Sequence, residues 1–383
     1  MNVTVDISPD ILLWIKKQLL PSEVLNTLDQ WISGDKIPNI SAIRNFSQKS
    51  HIPFGYFFLK TPPVEELNIV HCRTINSSPL QNASRDLIDI FNSMVNIKDW
   101  MSDYCQKNDF SQLDFIGKFD ENSNIHSIAS DIRAELEISI NWFTNTKNPE
   151  QSFTFLRKRI SDSGILVMQN GIVNLNNTRK LSILEFRAFT LIDSYAPLIF
   201  INSNDSANGK LFSLIHELAH IWIGKENLFN DNFFNEHSTH TEKICNAVAA
   251  EILVPKKIFL TEWRSIREEH TSKIESLAKF FKCSELVIAR RALDFSLIDK
   301  ILYNSIVANT EKTISQSIQP TQKKTSGGNF YSNLMSRWDH KVIAALDSST
   351  KSGETPYIDA YRLTNLKAAT FHKLADNLGR AKT

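Results

Sequence analysis

Residues 211–224 read "LFSLIHELAHIWIG" and place His216, Glu217 and His220 in an otherwise apolar stretch. The apolar residues predict a buried helix. Positions four apart share one helix face, with Cβ atoms roughly 5–6 Å from each other, so the two histidines can hold one metal ion between them. The glutamate lies about 100° round the helix, close to that ion without binding it, where a carboxylate can activate water. This HExxH pattern predicts a metal site with a general base.

The buried setting distinguishes two interpretations of this stretch. One is a structural helix with two incidental histidines. Burying two imidazoles and a carboxylate without partners costs free energy, and a metal ion supplies the partner, so we favour the metal site. Imidazole and carboxylate ligands favour Zn²⁺, one ion per chain, and leave manganese and iron open.

A catalytic zinc site takes a third protein ligand and keeps one position open. The stretch "HTEKICNAVAAEILVP" at 240–255 offers Glu242, 22 residues after His220. Asn246, one helical turn later, is placed to hydrogen-bond a ligand histidine. Three other residues remain open as the third ligand: His237, His240 and Glu251.

Composition limits the class of protein. A chain of 383 residues predicts two or three domains, and its net charge of +1 gives no overall field that would attract nucleic acid or a membrane. The four cysteines form no CxxC pair, which suits a reducing compartment. The N-terminus lacks the pattern of a signal peptide, and the apolar runs are far too short to span a membrane. We predict a cytoplasmic protein without membrane association.

Local patterns predict a mostly helical α+β chain. Helical spacing dominates residues 1–60 and 80–160, whereas "GILVMQNGIVN", "LEFRAFTLID" and "APLIFINSNDSANG", between 164 and 209, are typical of strands. A polar loop at 225–240 follows the HExxH helix, and the next helix ends at Pro255. The segment "TISQSIQPTQKKTSGG" is a linker of low hydrophobicity before a last helical region.

The stretch "RAFTLIDSYAPLIFINSNDSANGKLFSLIHELAH", followed by "EKICNAVAAEILVP", resembles the ImmA/IrrE family of metallopeptidases over residues 164–255. The resemblance implies a minimal zincin-like core, in which a small twisted sheet packs on two metal-binding helices. It also implies His216, His220 and Glu242 as zinc ligands and Glu217 as the general base. Asn246 stands where thermolysin-like enzymes carry an aspartate, so it orients a histidine without adding charge.

The resemblance extends beyond this core. Residues 25–63 resemble an XRE-type helix-turn-helix, "HCR" at 71–73 stands where many relatives have "DFR", and residues 274–298 resemble the helical tail of the family. The predicted division of the chain is an XRE-like helix-turn-helix, a helical region, the peptidase core with its tail, a linker and a basic helical C-terminal domain, at 1–62, 63–160, 161–305, 306–328 and 329–383.

Two regions are candidates for DNA binding. The N-terminal candidate helix, "SEVLNTLDQWIS", carries Glu23 and Asp29 and no lysine or arginine, which favours a degenerate module for protein contacts. Residues 319–383 carry ten basic and five acidic side chains, a net charge of 10 − 5 = +5. We favour a small helical bundle with a solvated basic face there, and a module for nucleic acid or a partner protein is the alternative.

The resemblance implies a zinc endopeptidase that cleaves a partner such as a transcriptional repressor, in a mobile-element, phage, stress-response or toxin–antitoxin circuit. The alternative is a non-proteolytic antitoxin or transcriptional regulator with a structural metal site, which would have no need of Glu217. A second oxyanion donor is expected, and its candidates are His237, His240 and Tyr195. We also expect an extended substrate to pair with an exposed edge at residues 198–202.

Overall fold

The computed structural model describes residues 4–18, 24–63, 83–224, 227–229, 239–318 and 330–380. These residues form two compact units, the first comprising 4–63 and 83–92 and the second the described residues from 93 onward. No helix in these ranges combines the length and the apolar character needed to cross a bilayer.

The first unit is helical. Asn39 begins one of its helices, because its side-chain oxygen accepts the Ala42 N–H at 2.8 Å. The helices are α1 Pro9–Gln18, α2 Val24–Ile32, α3 Ile40–Ser50, a 3-10 turn at Phe54–Phe58, and α4 Arg85–Lys107, whose first residues belong to this unit. The core side chains are Ile11, Ile15, Leu28, Trp31, Ile43, Phe46 and Phe57.

The helix-turn-helix predicted for residues 1–62 is not confirmed. Seven residues, 33–39, separate α2 from α3, whereas the two helices of that motif are joined by a turn of about three or four residues. The segment "HCR" at 71–73 lies outside the described residues.

The second unit surrounds a small sheet with helices. Its first elements are α5 Ile125–Glu135, a 3-10 turn at Trp142–Asn145, α6 Pro149–Asp162, β1 Leu166–Asn170, β2 Ala188–Leu191, β3 Leu198–Asn202, α7 Ala207–Ile223 and β4 Asn227–Phe229. The later helices are α8 His240–Leu253, α9 Lys256–Ser265, α10 His270–Phe281, α11 Glu285–Asp294, α12 Lys300–Ile318, α13 Phe330–Arg337, α14 His340–Ser352, α15 Tyr357–Thr364 and α16 Ala368–Arg380. The α+β fold class predicted from the sequence is confirmed.

The strands lie in the order β1-β3-β2-β4. Strand β3 pairs in parallel with β1 and in antiparallel fashion with β2, and β2 pairs with β4 on its other side. The predicted substrate-binding edge at residues 198–202 is therefore wrong, because hydrogen bonds from two neighbours already occupy both sides of β3. Strand β4 falls in the stretch that the sequence predicts to be a polar loop.

A close approach between two glycines fixes the end of α7. Gly224 ends the helix with φ +72°, and a Cβ atom on it would lie 2.9 Å from the Cα of Gly117. The Gly117 N–H donates to the Ile221 carbonyl at 3.0 Å and therefore satisfies a group that the helix end leaves exposed. Trp222 stacks on Phe115, with ring centroids 4.4 Å apart, and holds the same segment against the helix.

The C-terminal helices close the outer edge of β1. Asp339, which begins α14 and is 2% exposed, accepts the Val167 N–H at 3.0 Å. Arg157 donates to the Val167 carbonyl through Nη2 at 2.8 Å and to the Ser336 carbonyl through Nη1 at 2.6 Å. A carboxylate and a guanidinium thus take the places of a further strand, so this edge cannot pair with another chain.

Candidate metal centre

Helix α7 carries its three polar candidates inside the core. Ser206 begins the helix by accepting the Gly209 N–H at 3.0 Å, and α7 then packs against the sheet, α6 and α8. His216 and Glu217 are 0% exposed and His220 is 1% exposed. Buried polar groups require partners, so the atoms around these side chains determine what the site can bind.

The two histidines meet Glu242 from the first turn of α8. The distances are 3.1 Å between the Nε2 atoms of His216 and His220, 3.1 Å from Glu242 Oε2 to His216 Nε2, and 3.4 Å from Glu242 Oε1 to His220 Nε2. Thr239 begins α8 by accepting the Glu242 N–H at 3.3 Å, which fixes that first turn. The structure brings together these three residues, here called the triad.

The triad fits a tetrahedral zinc ion. Zinc–nitrogen distances of about 2.0–2.1 Å place two ligand atoms of a tetrahedral site about 3.3 Å apart, close to the three separations observed. Within the described ranges, this is the one group of three histidine, cysteine or acidic residues whose ligand atoms all lie within 4.8 Å of one another. The donor set of two imidazoles and one carboxylate also leaves one position of such an ion open.

Asn246 orients one of the histidines. Its side-chain oxygen lies 2.9 Å from His216 Nδ1, so the ring donates its Nδ1 proton to this amide. The Nε2 lone pair then points towards the triad, as a ligand nitrogen requires.

Glu217 is held by a residue that the sequence did not single out. The hydroxyl of Thr190, on β2, donates to Glu217 Oε2 and lies 3.2 Å from the backbone oxygen of the same residue. Oε1 is buried and has no hydrogen-bond partner among the described residues. Burial raises the pKa of Glu217 well above its usual range, the Thr190 hydrogen bond lowers it, and the charge of Glu242 raises it further. One carboxylate oxygen is therefore fixed and the other is available to a ligand.

Glu242 is the most accessible member of the triad, with 21% of its side chain exposed. Burial alone would raise the pKa of this carboxyl, but hydrogen bonds and charge from His216 and His220 outweigh burial and hold it well below its usual range. The carboxylate is thus ionised, as a metal ligand must be.

The other candidates for the third ligand make different contacts. Glu251 forms an ion pair with Arg291, and both side chains are buried. His240 Nε2 lies 3.0 Å from the backbone oxygen of Glu121. His237 lies outside the described residues. Among the candidates that the structure describes, only Glu242 joins the two histidines.

The second oxyanion donor stays a prediction. Tyr195, in the connection between β2 and β3, accepts a hydrogen bond from Gln112 Nε2 at 3.3 Å. Neither this hydroxyl nor the His240 ring shares a hydrogen bond with the triad in the described part of the chain.

Residues 176–293 match the family model described as the IrrE N-terminal-like domain, Peptidase_M78. The match supports the ImmA/IrrE family. It spans β2, β3, α7 and α8, and it supports a metallopeptidase-type function, which implies a metal cofactor and a protein substrate. Residues 339–377 match a domain of unknown function, DUF8813. No curated protein and no solved structure shows significant similarity to the chain.

Proposed function

We propose that this chain is a zinc-dependent endopeptidase that cleaves a specific partner protein. The observation that carries the proposal is the state of Glu217, which follows His216 in the sequence. Its Oε2 accepts a hydrogen bond from Thr190, while its Oε1 is buried and has no hydrogen-bond partner among the described residues. A metal site that only stabilised the fold would have no use for this carboxylate, whereas peptide hydrolysis needs a base there.

His216, His220 and Glu242 would hold one Zn²⁺, with Asn246 keeping the His216 ring in place. When bound, this ion would polarise the scissile carbonyl and make water more acidic. The low pKa of Glu242 keeps that ligand ionised for binding.

Glu217 would move the proton. Its Oε1 can accept a proton from the attacking water and then deliver it to the nitrogen of the leaving amine. The raised pKa suits both steps, because a carboxyl of higher pKa is a stronger base and still gives up the proton to an amine. Thr190 would hold the carboxylate in one orientation while Oε1 alternates between the two states.

The exposure of the site indicates the side from which a substrate would approach. The two histidines and Glu217 are at most 1% exposed, whereas 21% of the Glu242 side chain is exposed, so we expect the substrate to approach from the Glu242 side. A transcriptional repressor or an antitoxin-like regulator, in a mobile-element, phage or stress-response circuit, is the substrate class that we propose. The resemblance of residues 164–255 to the ImmA/IrrE family supports this part of the proposal.

The test compares new protein N-termini in native host cells that produce either the wild type or Glu217→Gln. We expect at least one internal cleavage in the wild type and a loss of roughly 10²- to 10⁴-fold in the variant, because general-base catalysis is removed while the triad is intact. Identical sets of termini in the two strains would overturn the peptidase proposal and favour a non-proteolytic regulator.

A further inference from the structure

The last two helices that the structure describes are joined by a short turn. Three residues, 365–367, separate α15 from α16. Asn365 ends α15 in the left-handed conformation, with φ +53°, and Leu366 follows it with its side chain buried. A turn of about three or four residues between two helices is one feature of a helix-turn-helix.

This pair of helices packs with α14. Thr364 donates its hydroxyl to the Ala360 carbonyl at 2.7 Å, and the Leu366 N–H donates to the Tyr361 carbonyl at 3.2 Å, so the turn is fixed by local hydrogen bonds. Helix α14 packs against both α15 and α16. The buried apolar side chains of the three helices and the turn include Val342, Ile343, Leu346, Ala360, Leu366, Phe371 and Leu374. The family model of unknown function covers these same helices.

Helix α16 turns one polar stripe outward. Among its described side chains, the inner face is buried, whereas the outer-face residues Ala368, Ala369, His372, Lys373 and Asp376 are exposed, as is Lys367 directly before the helix. Two alanines at the start of the stripe let the helix approach a surface closely. Lysines can bind phosphates or guanine, and an aspartate can accept a hydrogen bond from cytosine, so the stripe suits the edges of base pairs.

The sequence from the start of α15 onward carries a net positive charge. Residues 357–383 contain five lysine or arginine and two acidic side chains, a net charge of 5 − 2 = +3, whereas the whole chain has +1. Residues 330–356 contain three of each, a net charge of zero. Among the described side chains, Lys367 and Lys373 lie on the exposed stripe and Arg362 is exposed on α15. A duplex that carries one negative charge per about 1.7 Å is complementary to this net positive charge.

We propose that α15 and α16 form a helix-turn-helix that binds double-stranded DNA, with α16 entering the major groove. Neighbouring tyrosines hold two side chains of the stripe in place. Tyr361 Oη lies 3.0 Å from His372 Nε2, and Lys373 Nζ lies 4.1 Å from the centre of the Tyr331 ring. This binding is independent of the peptidase chemistry and would place the peptidase beside proteins bound to the same DNA.

The test measures binding of the full chain to fluorescent DNA. A pool of duplexes with random 20-base-pair centres is selected against the wild type, and the retained duplexes are titrated by anisotropy at several salt concentrations. We expect retained duplexes to bind with a Kd in the range of about 10⁻⁶ M or lower, with strong salt dependence. Lys367→Glu combined with Lys373→Glu should weaken binding at least tenfold and reduce the salt slope by roughly one per lysine.

The matched control combines Lys257→Glu with Lys279→Glu, which makes the same change in net charge at exposed positions on α9 and α10. It should retain the wild-type affinity, and circular dichroism should show that both double variants fold. If the wild type retains no duplex, or if the two double variants lose affinity equally, the proposal is overturned and the stripe is a surface for protein contacts.

Discussion

The proposed zinc site and the proposed DNA-binding surface lie on two different pairs of helices, and their polar residues differ in solvent exposure. In α7 and α8 the two histidines of the triad are buried and Glu242 is partly buried, and the ligand atoms of the three side chains lie 3.1–3.4 Å apart. In α15 and α16 the polar stripe is exposed. Buried polar groups must find partners, so they define a ligand closely, whereas exposed groups are satisfied by water and define one only through shape and charge.

The largest free-energy change is expected in the stability of the fold, on substitution of the buried Asp339 in the C-terminal region. Asp339→Ala should lower the free energy of unfolding by about 3 kcal/mol, because the Val167 N–H and the start of α14 lose their acceptor and Arg157 loses a buried negative neighbour. Urea denaturation measures the change. Lys367→Ala, at an exposed position of the stripe, should change it by less than about 0.5 kcal/mol. Equal effects of the two substitutions would remove the contrast between buried and exposed polar groups.

An intermediate free-energy change is expected in zinc affinity, on substitution of Asn246, which contacts His216 of the triad. Asn246→Ala should lower zinc affinity by roughly 10- to 100-fold, because His216 Nδ1 loses the acceptor that orients the ring. Competition with a chromogenic chelator measures the affinity. Asn246→Asp keeps an acceptor at the same place and should bind zinc at least as tightly as the wild type. An unchanged affinity in Asn246→Ala would show that this hydrogen bond does not tune the site.

A smaller free-energy change is expected in catalysis, on substitution of Thr190. Thr190→Val should reduce kcat/KM about tenfold on a peptide spanning the cleaved bond, because one hydrogen bond to the buried Glu217 is lost, at a cost of about 1.4 kcal/mol. Zinc content should not change, and Thr190→Ser should restore the rate. A rate in Thr190→Val equal to that of the wild type would exclude a positioning role for the hydroxyl.

The same contrast explains what could be predicted from the sequence. The metal-binding role of the HExxH stretch follows from helix periodicity and from the cost of burying polar groups, whereas Glu242 as a zinc ligand is what the resemblance to the ImmA/IrrE family implies. The residues alone leave Glu251 open; along α8, nine residues turn the side chain by about 180°, which places Glu251 on the opposite face from Glu242. The structure accordingly pairs Glu251 with Arg291 and leaves the triad to Glu242.

Strand order and long-range contacts could not be predicted in this way. The edge expected at β3 is wrong because strand order depends on pairing between distant segments, and the three-residue β4 has no alternating pattern to reveal it. Thr190 is an ordinary strand residue until α7 brings Glu217 against it. The local pattern around Asn365 and α16 predicts helices, but the three-residue turn and the single exposed stripe emerge only from the structure.

The metal content of the purified full chain, measured by mass spectrometry after zinc loading and desalting, tests the central claim most directly. We predict about one zinc per chain in the wild type, in Glu217→Gln and in His240→Ala, and a large loss in Glu242→Gln. A wild type that holds no zinc, or a Glu242→Gln variant that keeps it while His240→Ala loses it, would contradict the assignment of the triad.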